Sequence, residues 1–80
     1  MKIRIRLFAN FEQKMPKEQD ETGMAPIELP EGTIVQDILD RFEIPYDDAY
    51  IILLNGRHAQ KDTPLEDNAE LSIFPPIVGG

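Results

Sequence analysis

The chain has 80 residues, enough for one domain that buries only about 60% of the surface its unfolded form exposes. Fifteen acidic residues against eight lysines and arginines give a net charge of −7. This charge argues against nucleic acids and anionic membranes as partners, because both bind basic surfaces, and it favours a partner with a basic docking face. The sequence has no cysteine, which excludes disulfides, thiolate metal sites and thiol nucleophiles.

The first predicted strand is "KIRIRLF", residues 2–8, in which charged and apolar side chains alternate. The alternation places Ile3, Ile5 and Leu7 on the buried face and Lys2, Arg4, Arg6 and Phe8 on the outer face. The N-terminus therefore lacks the apolar core of a signal peptide, and no segment reaches transmembrane length. We expect a cytoplasmic protein.

A polar stretch separates this strand from the next one. Residues 12–24 are "EQKMPKEQDETGM", and we interpret them as a long, mobile loop. The segment "PIEL", residues 26–29, is predicted to be a short second strand with Ile27 and Leu29 facing inward.

The segment "TIVQDILDRF", residues 33–42, has the period of an amphipathic helix. Its apolar face consists of Ile34, Val35, Ile38, Leu39 and Phe42. Thr33 and Gln36 have the spacing of a capping box at the N-terminus, and Pro45 prevents the helix from continuing. We expect this helix to pack its apolar face on a sheet.

The second half of the chain predicts further strands. The apolar "IILL" leads into Asn55-Gly56, the strongest short hairpin signal. The segment "AELSIF", residues 69–74, alternates again, with Ala69, Leu71 and Ile73 inward. The fold class is therefore α+β, a mixed sheet of four to five strands with one main helix packed on it. If the first and last strands are central neighbours, the fold is a ubiquitin-like β-grasp.

Residues 1–74 are predicted to form this domain, and residues 75–80 an extended, flexible C-terminal tail. The tail consists of Pro75, Pro76, Ile77, Val78, Gly79 and Gly80. The prolines stiffen its base, and the glycines at its tip lack a Cβ atom, so a narrow channel would admit them. Fully extended, six residues reach roughly 18–20 Å. We interpret the tail as a segment that enters a partner's active site; the alternative is a frayed end without function.

The stretch "ILLNGRHAQKDTPLEDNAELSIFPPIVGG", residues 52–80, carries a more specific pattern. Its "NG" turn, "TPLxDxxELSIFPP" and final "GG", together with "VxDxL" in the helix, resemble the small subunit of molybdopterin synthase and its ThiS-like sulfur-carrier relatives. The resemblance implies that an E1-like enzyme uses ATP to adenylate Gly80, which then becomes a thiocarboxylate. The tail would next enter the large, catalytic subunit, which uses the sulfur to build the dithiolene of the molybdenum cofactor.

By this resemblance the chain is a protein co-substrate and not an enzyme, and it binds no metal or cofactor itself. Its implied partners are the E1-like adenylating enzyme and the molybdopterin synthase large subunit or an equivalent acceptor enzyme. Three alternatives stay open: a carrier for thiamine or another pathway, a tungsten-cofactor version, and a ubiquitin-like modifier conjugated through Gly80. A plain binding module with an inert tail is the remaining hypothesis, and "FPP" favours the molybdopterin branch.

Phe8 and Phe74 are predicted on the outer face of the first and last strands, beside the base of the tail. If the strands are neighbours, the two rings form an apolar patch of the kind that marks interfaces; the alternative is that the tail or the loop covers them. Arg4 and Arg6 share that face with Glu70, which predicts cross-strand ion pairs or, alternatively, pairing with an acidic partner. His58, the only histidine, is interpreted as an ordinary surface residue.

Overall fold

A computed structural model describes residues 1–45 and 51–75 of the chain. The helices and strands are β1 (Lys2–Leu7), a 3-10 helix (Ala9–Lys14), β2 (Ala25–Glu28), α1 (Val35–Arg41), β3 (Ile51–Leu54), β4 (Arg57–His58) and β5 (Glu70–Phe74). Among these described helices, none is long and apolar enough to span a bilayer.

The five strands form one mixed sheet in the order β2-β1-β5-β3-β4. The central strands β1 and β5 run parallel, with Ile5 opposite Leu71 and Leu7 opposite Ile73. All other neighbouring strands are antiparallel. The prediction that the first and last strands pair at the centre is confirmed, and the fold is the expected ubiquitin-like β-grasp.

The core lies between the inner face of the sheet and α1. The alternating residues of β1 and β5 predicted to face inward are all buried, and so are three apolar residues of the helix. The largest fully buried side chains are those of Ile3, Ile5, Leu7, Val35, Ile38, Leu39, Leu71 and Ile73. Because each such side chain contributes about 1.5–3 kcal/mol on burial, this set accounts for the stability of the sheet's centre. Ile34 and Phe42, predicted on the same helical face, are only half-buried.

The N-terminus of α1 differs from the prediction by one residue. The predicted capping box of Thr33 and Gln36 is wrong: the Asp37 carboxylate accepts a hydrogen bond from the Ile34 N–H at 2.9 Å, while the Thr33 hydroxyl donates to the Pro30 carbonyl at 2.7 Å. The amides of residues 35 and 36 donate to the carbonyls of residues 63 and 61, at 3.0 and 2.8 Å. The first residues of the helix therefore bind a loop that is distant in the sequence. The spacing of residues around Thr33 cannot reveal such a contact.

The expectation that residues 12–24 lack regular structure is wrong at their beginning. A 3-10 helix spans Ala9–Lys14 and buries Phe11, which is 4% exposed. Beyond it, the sulfur of Met15 accepts a hydrogen bond from the Leu7 N–H at 3.2 Å. These contacts could not be predicted from the sequence, because the apolar residues that anchor the segment to the core occur singly and follow neither a helical nor a strand periodicity.

The predicted hairpin turn at Asn55-Gly56 is confirmed and joins β3 to β4. Asn55 has φ +53° and Gly56 has φ +83°, the backbone conformation that this type of two-residue turn requires. Asn55 also binds the start of β5, because its N–H donates to the Glu70 carbonyl and its side-chain oxygen accepts from the Glu70 N–H, at 2.8 and 2.9 Å. The turn thus fixes the register of three strands.

We expect Gly56→Ala to lower the free energy of unfolding by about 1–2 kcal/mol, because a Cβ atom is disfavoured at positive φ. Beyond the adjacent residues, no heavy atom of residues 1–45 or 51–75 lies within 4 Å of where that Cβ would stand, so the expected loss comes from backbone strain. Urea unfolding of the variant beside Gln60→Ala, an exposed position after the same hairpin, measures the effect. Equal stability of the two variants would contradict this explanation.

Candidate partner-docking site

Two aromatic rings meet where the central strands end. Because Leu7 lies opposite Ile73 in the parallel pair, the next residues along each strand, Phe8 and Phe74, are also neighbours. The Phe8 N–H continues the ladder by donating to the Ile73 carbonyl at 3.1 Å. The rings stack with centroids 4.0 Å apart and an angle of 12° between their planes. Both side chains are half-buried, so the pair presents apolar surface on the outer face of the sheet.

A guanidinium group extends this stack. Arg6 lies two residues before Phe8 on the same face of β1, and its guanidinium carbon is 4.7 Å from the centre of the Phe8 ring. A cation over an aromatic face at this distance is attracted by about 0.5–1 kcal/mol at exposed sites. We refer to Arg6, Phe8 and Phe74 as the aromatic platform.

The predicted cross-strand ion pairing is confirmed for Arg4 but not for Arg6. Arg4 lies opposite Glu70 in the β1–β5 register and forms a salt bridge with it. Arg4 also contacts the carboxylate of Asp20 at 3.3 Å. Arg6 instead donates from Nη1 to the Thr22 carbonyl at 3.1 Å. The two arginines therefore hold the segment around residue 20 against the outer face of the sheet.

Asp20 organises that segment. Its carboxylate accepts from the Thr22 hydroxyl at 2.5 Å, from the Thr22 N–H at 2.8 Å and from the Met24 N–H at 3.1 Å. The Thr22 hydroxyl bond is the largest cause that holds the pKa of Asp20 at about 2, below its ordinary 3.8; the two backbone amides and Arg4 act in the same direction, and partial burial opposes them. The carboxylate is thus favoured in its charged form in the folded state.

Because the pKa of Asp20 is lower in the folded than in the unfolded state, its contribution to stability is present above pH 3.8 and is lost as the pH falls towards about 2. We expect Asp20→Asn to melt at a lower temperature than the wild type at neutral pH, and the difference to shrink across that window. Glu21→Gln, the same charge change at the exposed next residue, is the control. Melting temperatures that stay equally far apart at every pH would contradict this expectation.

The platform lies at the base of the predicted tail. Pro75 follows Phe74 directly, is half-buried and is the last described residue. The other predicted tail residues, Pro76, Ile77, Val78, Gly79 and Gly80, lie outside the described residues, and the roles assigned to them stay predictions. Of the predicted site residues, the structure thus brings together Phe8 and Phe74, with Pro75 beside them in the chain.

The remaining candidates form no chemical centre in the described part of the chain. His58 is exposed on the short strand β4. Within residues 1–45 and 51–75, no group of three or more histidine, aspartate or glutamate side chains could hold a metal ion. Asn68 has φ +66°, as expected for a turn residue, and the Asp67 carboxylate accepts from the Lys2 N–H at 2.7 Å. Asp67 and Asn68 therefore have a structural role in the loop that precedes β5.

Sequence reasoning did not find two features of the site. The stacking of Arg6 on Phe8 could have been inferred from their spacing of two residues on one strand face. The Asp20 turn could have been inferred from "DET", because an aspartate followed two residues later by threonine favours a side-chain-to-backbone turn.

The family model for the ThiS family matches residues 5–80. Over 95% of this chain and 98% of the other, the structure is similar to a Pyrococcus furiosus protein provisionally named molybdopterin converting factor subunit 1, with 28% identity and a TM-score of 0.67. It is also similar to a chain in the complex of subunits 1 and 2 of molybdopterin-converting factor from Helicobacter pylori, with 25% identity, full coverage of both chains (100%) and a TM-score of 0.57.

The small archaeal modifier protein 1 of Haloferax volcanii shares the fold, with a TM-score of 0.70 at 19% identity over 95% of this chain and 98% of that one. The family match covers nearly the whole chain and includes both platform phenylalanines, the second half of β1, all of β5 and the final glycines. This chain therefore belongs to the ThiS family of ubiquitin-like sulfur-carrier proteins.

Proposed function

We propose that this chain carries sulfur on the carboxyl group of Gly80, and that it serves as the small subunit of molybdopterin synthase. The observation that carries the proposal is the match to the ThiS family, which extends through Gly79 and Gly80. The likeness over the full chain to molybdopterin-converting factor subunits, one of them in a complex with its second subunit, supports the choice of pathway.

The chemistry begins with activation of the terminal carboxylate. A carboxylate is a poor electrophile because its charge repels nucleophiles and because oxide is a poor leaving group. Adenylation by a partner enzyme joins the Gly80 carboxylate to AMP and releases pyrophosphate. The terminal sulfur of a donor's persulfide then attacks the carbonyl carbon and displaces AMP, which leaves an acyl disulfide. A second thiol of the donor attacks that disulfide, releases the thiocarboxylate and leaves the donor oxidised to a disulfide.

The domain's part is to present the tail. With no cysteine in the chain, a thiocarboxylate on Gly80 has no internal thiol with which to form a mixed disulfide. The aromatic platform lies at the base of the tail, and aromatic side chains contribute much of the binding energy at protein interfaces. We propose that Phe8 and Phe74 dock on the partner while residues 75–80 reach its active site, which supplies the catalytic groups.

The experiment is an intact-mass measurement. The purified chain, ending at Gly80, is incubated with ATP, the E1-like adenylating enzyme of the same organism and a persulfide donor. We expect a mass increase equal to one oxygen-to-sulfur exchange, and no increase when ATP is omitted. The product is then given to the molybdopterin synthase large subunit of the same organism with its pterin substrate, where formation of the dithiolene identifies the pathway.

The alternatives give different results in this assay or in two others. A carrier for thiamine would gain sulfur but would transfer none to the pterin. A ubiquitin-like modifier would be recovered from cells in isopeptide linkage between Gly80 and lysines of other proteins. A binding module with an inert tail would support no ATP-dependent pyrophosphate exchange, and that result would contradict the proposal.

A further inference from the structure

Arg6 differs from its neighbour Arg4 in what balances its charge. Arg4 has two carboxylates beside it, those of Glu70 and Asp20. Among the described residues, no carboxylate forms an ion pair with Arg6, whose polar contact is the neutral carbonyl of Thr22. The protein has a net charge of −7, yet the guanidinium of Arg6 on the platform has no carboxylate partner among the described residues. This charge is therefore available to pair with a carboxylate of another protein.

Several neighbours restrain the guanidinium of Arg6. It lies over the Phe8 ring, with its carbon 4.7 Å from the ring centre. Gly23 lies beside it, where a Cβ atom would stand at an ordinary van der Waals distance of 3.7 Å from the guanidinium carbon. The Thr22 carbonyl takes one donor at 3.1 Å. A guanidinium has five N–H donors in a fixed plane, so the remaining ones are oriented before any partner arrives.

We propose that Arg6 is a specificity-determining residue, and that the acceptor subunit which takes the tail presents a carboxylate to its guanidinium beside an apolar depression for Phe8 and Phe74. The inference rests on the proposed function, which supplies the partner, and adds to it the chemistry by which that partner is recognised. A planar, preorganised arginine loses less side-chain entropy on pairing with a carboxylate than a free one does.

Charge complementarity supports a carboxylate in this position. The surface of the domain is acidic overall, so a basic partner face would attract most of it. At the platform, however, a uniformly basic face would place a cation against Arg6, and like charges brought together at an interface oppose binding. A carboxylate at that one point removes the repulsion and fixes the orientation, so that the base of the tail meets the entrance to the active site.

The test compares variants of Arg6 in binding to the purified large subunit by calorimetry. Arg6→Met keeps an unbranched apolar stem of similar packing without the charged guanidinium, and we expect it to weaken binding about tenfold. Arg6→Glu reverses the charge and is expected to weaken binding about a hundredfold. Arg6→Lys keeps the charge without the planar fork, and its affinity should lie between those of the wild type and Arg6→Met.

The matched control is Arg41→Glu, a charge reversal at an exposed residue at the end of α1, on the other side of the sheet. This variant should leave the affinity within about twofold of the wild type.

Salt dependence separates pairing from a purely structural role. Because salt screens an exposed ion pair, the higher affinity of the wild type relative to Arg6→Met should shrink as the salt concentration is raised. The melting temperatures of both proteins are measured separately to detect any loss of stability. If Arg6 only holds the turn at residues 20–24, Arg6→Met and Arg6→Glu will bind equally and their deficit will not depend on salt, which would overturn the inference.

Two further results would also overturn it. Wild-type affinity of Arg6→Met would mean that no partner group pairs with Arg6. Tighter binding of Arg6→Met would mean that the chain's own terminal carboxylate occupies the site. In both cases ATP-dependent sulfur loading of the wild type would leave the proposed function standing. A wild type that neither gains sulfur nor binds the large subunit would overturn the proposed function and this inference together.

Discussion

Deletion of Gly80 is expected to abolish sulfur transfer and to leave the fold unchanged. The reaction proposed here would need a terminal carboxyl group at one distance from the domain, and removal of one residue withdraws that group by about 3.3–3.6 Å. A displacement of about 1 Å at a reacting centre can already slow a reaction by a hundredfold. Thiocarboxylate formation is followed by intact mass, and the fold by circular dichroism and melting temperature.

Two further variants separate the position of the carboxyl group from the type of residue that carries it. An added alanine after Gly80 moves the carboxyl group too far and should also abolish transfer. Gly80→Ala keeps the length of the chain and adds one methyl group. Any loss of activity in this variant would therefore show that the partner's channel for the tail is too narrow for a Cβ atom. A deletion variant that still forms a thiocarboxylate and donates it would overturn the assignment of Gly80 as the reacting residue.

Leu71→Ala is expected to have the largest effect on stability, a loss of about 2–5 kcal/mol in the free energy of unfolding. Leu71 is fully buried, at 0% exposure, in the central strand, where it lies opposite Ile5 of β1 and Leu54 of β3. A domain of this size has a total stability of about 4–12 kcal/mol, so the variant should be partly unfolded under mild conditions. Urea denaturation measures the loss.

The control for this prediction is Leu53→Ala. Leu53 lies in β3 opposite Ser72 of β5, one residue before the position opposite Leu71, and is half-buried on the other face of the sheet. The same substitution there should destabilise by about 1 kcal/mol or less, because it leaves no enclosed cavity. Comparable losses at the two positions would contradict the assignment of the core to the α1 side of the sheet.

The alternation of apolar and polar residues was sufficient to predict the two central strands and which face of each is buried. In β1 and β5 the buried residues fall at every second position, as read from the sequence, because side chains on a strand alternate between two faces. The turn at Asn55-Gly56 was equally clear, since its geometry requires positive φ at both residues. The alternation does not show which strands pair, so the pairing of β1 with β5 was expected only if the fold is a β-grasp, the fold that the resemblance to the sulfur carriers implies.

The parts that depend on distant contacts could not be predicted in this way. The first turn of α1 donates its hydrogen bonds to carbonyls of residues 61–63, so the sequence around Thr33 placed its cap one residue too early. The turn around Asp20 is held by Arg4 and Arg6 of β1, whereas the polar composition of residues 12–24 indicated only a long, mobile loop. The apolar patch of Phe8 and Phe74 was predicted on the condition that the first and last strands are neighbours, but the stacking of the two rings was not. The role of Arg6 beside them was left open between two interpretations.

The proposed function depends on sulfur carried by the carboxyl group of Gly80. Fragmentation mass spectrometry of the untagged chain, purified from the cells that make it, tests this most directly; alkylation during purification protects thiocarboxylates. We expect a fraction of molecules whose C-terminal fragment carries sulfur in place of one oxygen at Gly80, and we expect this fraction to disappear in cells that lack the adenylating enzyme. Sulfur-free C-terminal fragments in both cell types would contradict the proposed function.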